Sequence, residues 1–244
     1  MIDAWISPGT LQKSIAPVTA LVDEAVLRFE EGGMRIQTVD SANVGAISLD
    51  LLANAFHSYE ANITKISLDL ERLEEIVSKT STQGNYLIKK EDDDNQITLS
   101  TKGYEFELAL IQPDGVRTGP DPRELETPAS IKLSVEQFSE AIRVASMFSE
   151  HLRMGIDSER DIFYMDAEGD VDDMHVTFDR QDVEFTDVAK AYGNYSLNYL
   201  EDIRKALPPD TTLTLGLGEE LPLSIQYEIA GGDGRISYGL APRI

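Results

Sequence analysis

Apolar residues recur along this chain with two periods, and the periods alternate in the same order twice. Ser7-Pro-Gly-Thr10 signals a helix start, and Leu11, Ile15, Val18 and Val22 follow at helical spacing. Ser134 opens an equivalent stretch, with Phe138, Ile142, Ala145 and the Met147-Phe148 pair behind it. Laying Leu11 on Phe138 also carries Ile15 onto Ile142 and Val18 onto Ala145. After each helix the period shortens to two. Glu30-Glu-Gly-Gly33 leads into a strand over Met34–Asp40, and Asp157–Asp161 leads into one over Ile162–Glu168. Each half then predicts a second helix. Leu70–Ser81 turns Leu73, Ile76 and Val77 inward, and Leu197–Leu207 turns Leu200, Ile203 and Leu207 inward. Each half closes in a meander. Gln96–Ser100 and Tyr104–Ile111 flank Thr101-Lys-Gly103, and Leu213, Leu215 and Leu217 precede Leu223, Ile225, Tyr227 and Ile229. Such alternation predicts antiparallel sheet with one buried face.

Between the halves lie residues 112–128, with four prolines and two glycines in seventeen positions. That composition excludes regular structure and predicts an extended connector. The chain therefore reads as two similar α+β domains, 1–111 and 129–244, joined by 112–128. Pro17 interrupts the first helix, frees the carbonyl of Lys13, and predicts a bend or a shortened helix there.

The 244 residues are 41% hydrophobic, enough for a core in each half. Charge is the outlier: 44 Asp and Glu against 21 Lys and Arg give a net −23. The acids are spread over the whole chain. Repulsion of this size disfavours a compact state in dilute salt and is screened in concentrated salt, which predicts a high-salt cytosol. There is no cysteine, so no disulfide or thiolate metal site is possible. The amino terminus lacks the basic region and apolar core of a signal peptide, and no apolar run spans a membrane. These features point to a cytoplasmic protein without a cofactor.

Sequences that imitate chemistry are weak here. Asp166–Asp173 alternates acids as a calcium loop does, but Val171 stands where the loop needs glycine and Thr177 where it needs an acid. It and Glu91–Asn95 read as solvated acidic turns. His57, His151 and His175 are isolated in sequence, and Gly216-Leu-Gly218 reads as a turn pair. No histidine-based triad or nucleophile elbow is present, although a site built only of Asp and Glu stays open among 44 acids.

Several segments, in order, carry a family resemblance. They are Thr38-Val-Asp-Ser-Ala-Asn-Val44, Phe56-His-Ser-Tyr59, the proline-rich connector, Glu220-Leu-Pro-Leu223 and the ending Leu240-Ala-Pro-Arg-Ile244. Together they resemble the PCNA family of DNA sliding clamps, most similarly its halophilic archaeal members. The resemblance implies a DNA-clamp fold, with two similar domains each of two helices on antiparallel sheet. Three subunits would form a closed ring, sheet outside and helices lining the hole. Such a homotrimer encircles double-stranded DNA without reading sequence. It tethers DNA polymerase, flap nuclease and ligase through short peptide motifs, and a clamp loader opens it. No bond is made or broken.

By the same resemblance, the peptide pocket would draw on Val39, Asn43, Val44 and Ala46 on one side. Pro222, Leu240, Ala241 and Pro242 would form its floor, with Val116 of the connector as lid. The bland alternative is that these are core residues. Lys13, Lys79, Arg143, Arg204 and Lys205 would face DNA; their helical angles allow it, and so does plain solvation. Subunits would pair Tyr104, Phe106, Leu108 and Leu110 with Met174, Val176 and Phe178 of the next copy. Ala46 and Gly239 are smaller than is usual at those positions of the family. A virus-encoded or heteromeric clamp subunit, an acidic halophilic enzyme, and a peptide-binding module without a ring remain the alternatives.

Overall fold

The computed structural model describes residues 1–80, 84–112 and 116–243. Ser81 at the end of the second predicted helix, residues 113–115 of the connector, and Ile244 lie outside the described residues. The chain forms two compact units. One comprises Met1–Ser41, Ile47–Pro120 and Glu228–Ile236; the other comprises Ala42–Ala46, Asp121–Tyr227 and Ser237–Ile244. Each unit thus includes a short segment from far along the chain, which no single cut in the connector describes.

The first unit begins with β1 (Ile2–Ile6), α1 (Pro8–Thr19), β2 (Glu24–Glu30) and β3 (Gly33–Val39). It continues with most of β4 (Gly45–Leu52), then β5 (Ser58–Ala61), β6 (Thr64–Asp69) and α2 (Leu70–Lys79). A final meander comprises β7 (Tyr86–Lys90), β8 (Gln96–Thr101) and β9 (Tyr104–Ala109). One sheet runs in the order β5-β1-β7-β8-β9, and β4-β3-β2-β6 form neighbours in another. α1 packs on α2.

Helix starts follow their caps. Ser7 Oγ accepts from the Thr10 amide at 3.1 Å, and Asp69 accepts from the Arg72 amide at 2.7 Å. Leu11, Ile15 and Val18 are buried, as their spacing requires. α1 passes through Pro17 as one element and ends two residues later at Thr19, whose hydroxyl donates to the Ala16 carbonyl at 3.0 Å. The Phe56–Tyr59 motif has a mechanical role. Tyr59 Oη lies 2.8 Å from the Glu30 carbonyl and 2.6 Å from that of Gly33, tying the β2–β3 turn to β5. Gly33 has φ 139°, and a Cβ there would meet the Leu51 carbonyl at 2.1 Å, so only glycine fits.

The second unit contains β10 (Ala129–Ser134), α3 (Val135–Ala145), β11 (His151–Asp157) and β12 (Ile162–Glu168). β13 (Asp173–Phe178), β14 (Glu184–Asp187), β15 (Ala191–Ser196) and α4 (Leu197–Ala206) follow. β16 (Thr212–Leu217), β17 (Leu223–Ile229) and β18 (Gly234–Leu240) end the chain. The hairpin tip joining β17 and β18 belongs to the first unit. Here the sheets run β13-β12-β11-β15 and β14-β10-β16-β17-β18. α3 packs on α4 and opens with a full capping box between Ser134 and Gln137. Gly216 departs from the turn that its sequence suggests. It lies inside β16, where a Cβ would come within 2.3 Å of Thr127 Oγ1.

Candidate functional site

The helices hold the candidate cations on their solvent side. Lys13 on α1, Lys79 on α2, Arg143 on α3 and Lys205 on α4 are exposed, and Arg204 is half-buried. Their charges are not equally available. Lys79 Nζ is 2.6 Å from Glu75, Arg204 is 2.6 Å from Glu201, and Lys205 is 2.9 Å from Asp202. Arg72 shares Glu75, and the two cations hold that carboxyl below its ordinary range. Among the described residues, Lys13 and Arg143 form no ion pair.

The strand candidates lie at sheet edges. Among the described residues, β9 pairs with β8 alone, so its other side is an edge, and β13 likewise pairs with β12 alone. Tyr104 is 59% exposed and stacks on Phe106 at 6.1 Å, while Phe106 and Leu108 are half-buried; β9 stops short of the expected strand to Ile111, so the half-buried Leu110 lies just past its end. On β13, Met174 and Val176 are half-buried. Phe178 departs from expectation: it is buried, stacked on Phe163 at 5.8 Å, and belongs to the core of its own unit.

The peptide-pocket candidates distribute between the units. In the first, Val39 is buried and Val116 half-buried, and the connector is fastened to β3 beside them. Gln37 Nε2 donates to the Gly119 carbonyl at 2.6 Å and Thr38 Oγ1 to that of Arg117 at 3.1 Å. In the second, the Ala241 amide donates to the Val44 carbonyl at 2.8 Å, which sets Val44 against the end of β18. Val44, Pro222, Ala241 and Pro242 are half-buried, Ala46 is buried, and Asn43 is exposed with φ 56°. Leu240 is fully buried and offers no surface, so it supports Ala241 and Pro242 from beneath. The small Gly239 is matched by Leu125 and Pro122, which pack over the site a side chain would fill.

Two histidines have partners that the sequence does not show. His175 Nδ1 contacts Asp166 across the β12–β13 pair, and His151 Nε2 accepts from Arg243 Nε at 3.0 Å. Arg243 lies beside a polar hollow of about 380 Å³ whose other walls include Arg153, Tyr192 and Glu220. The acidic turn before β13 is closed by its own chain, the Gly169 amide donating to Asp173 at 3.2 Å. No helix among the described residues is long and apolar enough to cross a membrane.

Comparison with known proteins accounts for this arrangement. Residues 1–111 match the family model for the proliferating cell nuclear antigen N-terminal domain. The DNA polymerase sliding clamp of Natronomonas pharaonis is 39% identical over all of this chain and 99% of its own length. That of Haloarcula marismortui is 38% identical with the same coverage; both are halophilic archaea. Among solved structures, A. fulgidus PCNA bound to the C-terminal region of FEN-1 superposes with TM-score 0.92 at 30% identity. That match spans 100% of this chain and 99% of the other. PCNA from Thermococcus kodakaraensis, 21% identical and fully covered, shares the fold with TM-score 0.88. The chain belongs to the DNA polymerase sliding clamp family.

Proposed function

We propose that three copies of this chain close head to tail into a ring around duplex DNA and hold replication and repair enzymes at the template. The β9 edge of one copy pairs with the β13 edge of the next. A head-to-tail contact of this kind closes into a ring when its rotation allows. The observation that carries the reading is this pair of edges, each with one side unpaired and a row of half-buried apolar residues. α1 to α4 present Lys13, Lys79, Arg143, Arg204 and Lys205 to the duplex. Partner peptides seat on Val44, Pro222, Ala241 and Pro242 of the second unit. The ring raises a partner's effective concentration and performs no chemistry itself. The cytosol of a high-salt cell is its proposed compartment.

Light scattering after size-exclusion chromatography in about 3 M KCl, where screening lengths fall below ~3 Å, tests the assembly. A mass three times the chain's 27.0 kDa is expected. Retention on nicked circular DNA, lost when the circle is cut, is the expected functional readout. A monomer at every protein concentration would sink the homotrimeric reading.

A further inference from the structure

Strand register in the first unit places three cations side by side. Arg28 on β2 lies directly opposite Lys65 on β6 and, on its other side, directly opposite Arg35 on β3. Residues directly opposite share a face. The intervening Leu27, Phe29, Met34, Ile36, Ile66 and Leu68 are buried, so the row faces outward. Like charges directly opposite one another destabilise a sheet. In a chain with 44 acids and 21 bases, such a row is a costly arrangement.

The three cations differ in how they are held. Arg35 is braced: its side chain is 37% exposed, lies 3.6 Å from Asp50, and donates to Gln37 at 3.1 Å. Arg28 and Lys65 are exposed and form no ion pair among the described residues. A shallow cavity of about 180 Å³ adjoins the row, walled by Arg28, Arg35, Met34 and the 49%-exposed Leu52. Glu30 and Asp50 also line it and bound the cationic patch.

We infer that this row binds a short acidic peptide segment of the Glu-x-Glu type. Neighbouring strands lie about 4.8 Å apart, so the three cations span roughly 10 Å. Alternate residues of an extended peptide are about 6.7 Å apart, which lets two carboxylates reach the row together. Arginine provides the paired donors that suit carboxylates. A nucleic acid fits less well. Its affinity comes from many phosphate contacts, whereas this patch ends at Glu30 and Asp50, which would repel an extended polyanion. The main chain just after β9 passes close by, the Ile111 amide donating to the β6 Ser67 carbonyl at 2.8 Å, so a docked segment would lie beside that main chain. The inference stands apart from the ring reading, since every residue it uses belongs to one unit of one chain.

The test is fluorescence polarisation with a labelled Glu-Leu-Glu-Leu-Glu peptide and the full chain, over a KCl series with parallel light scattering. Wild-type protein should bind the peptide more weakly as salt rises, and a Gln-Leu-Gln-Leu-Gln analogue should bind at least tenfold more weakly. Arg28→Glu should lose at least tenfold in affinity. Lys89→Glu, an equal charge change at the exposed Lys89 of the other sheet, should stay within twofold. Arg28→Glu should also melt higher than wild type, because Glu would then sit between Lys65 and Arg35; its loss of binding would not be a loss of fold. Arg28→Gln, which removes the charge without reversing it, should fall between. Equal binding by all variants, or by both peptides, would overturn the inference, as would no binding by any. A short DNA duplex that binds wild type and is lost in Arg28→Glu, while the peptide fails to bind, would overturn it in favour of nucleic acid. A trimer that fails to bind the peptide would sink this inference alone.

Discussion

At the scale of single residues, small groups fix turns and decide which charges are available. Tyr59 ties two carbonyls of the β2–β3 turn to β5 through one hydroxyl. Tyr59→Phe removes that tie while keeping the ring, which lies 4.7 Å from Phe56. A loss of about 1 kcal/mol is expected for such a bond, a fall of about 2–4 °C in melting temperature at this chain length. Calorimetry in high salt reads it, and an unchanged Tm would remove the role given to the hydroxyl. Burial pushes the Tyr59 phenol up to about 12, and it pushes Tyr195, Tyr227 and Tyr238 upward as well. Their unfolded values lie near 10. Because the folded values are the higher ones, the stability they contribute is complete below about pH 10 and is lost as pH rises through the folded values. Unfolding followed against pH in concentrated salt should therefore accelerate above pH 10, together with tyrosinate absorbance. Glu75 offers a test of opposite character. It occupies both Arg72 and Lys79, at 2.5 and 2.6 Å. Glu75→Gln releases both cations and should lengthen the retention of the ring on linear duplex DNA, where phosphate contacts rather than encirclement hold it. The logarithmic salt dependence should steepen by about 0.9 for each further phosphate that a released cation neutralises. An unchanged salt slope would place Lys79 away from the duplex.

At the scale of elements, periodicity makes some parts of this fold legible and hides others. α2 and α3 carry one apolar stripe and proper caps, and both are legible from sequence. The meander strands β8, β9, β16 and β17 alternate clearly and read as strands. β4 alternates only over Ile47–Leu51, where Ser48 and Asp50 separate Ile47, Leu49 and Leu51, and its opening Gly45-Ala46 carries no period. β14 escapes because it is four residues long, and β1 because five residues give few repeats. Gly216 misleads because glycine signals turns, whereas here it admits Thr127 against a strand. The candidate site is only partly legible. The cations of the helices can be found by helical angle, and their i,i+3 and i,i+4 spacing from Glu201, Asp202 and Glu75 allows the pairing, but which pairs close is set by how the side chains lie. The Lys65–Arg28–Arg35 row is invisible in sequence because register joins residues distant in the chain. Edge strands also yield the most direct test of assembly. Val176 is half-buried on the β13 edge, within a strand that packs on β12. Val176→Lys places a charge on that edge, a device by which edges avoid pairing. The variant should remain folded by circular dichroism and run as a monomer where wild type is a trimer. A trimer of unchanged stability would show that β13 is not the pairing edge.

At the scale of the whole molecule, charge sets the conditions under which anything above can be observed. Three chains of −23 would bring 69 net negative charges into one ring. Repulsion between exposed charges extends over about 10 Å at 0.1 M salt and about 3 Å at 1 M. Apolar contact between edges is strengthened by excluded salts and is indifferent to screening. The two effects act in the same direction for assembly, so the proposed trimer should tighten steadily with KCl and loosen on dilution of salt. The duplex responds in the opposite sense, since phosphate contacts weaken as salt rises. A ring avoids that conflict because encirclement holds DNA without tight binding. Masses measured between about 0.1 and 3 M KCl should thus move from one to three times 27.0 kDa, while retention on closed circles persists in high salt and retention on linear DNA does not. Replacing KCl by sucrose at equal osmotic strength separates the causes. Sucrose favours burial but screens nothing. If charge repulsion is what opens the ring, sucrose alone should leave it largely monomeric, and a trimer formed in sucrose without salt would show that the acidic surface is not what limits assembly.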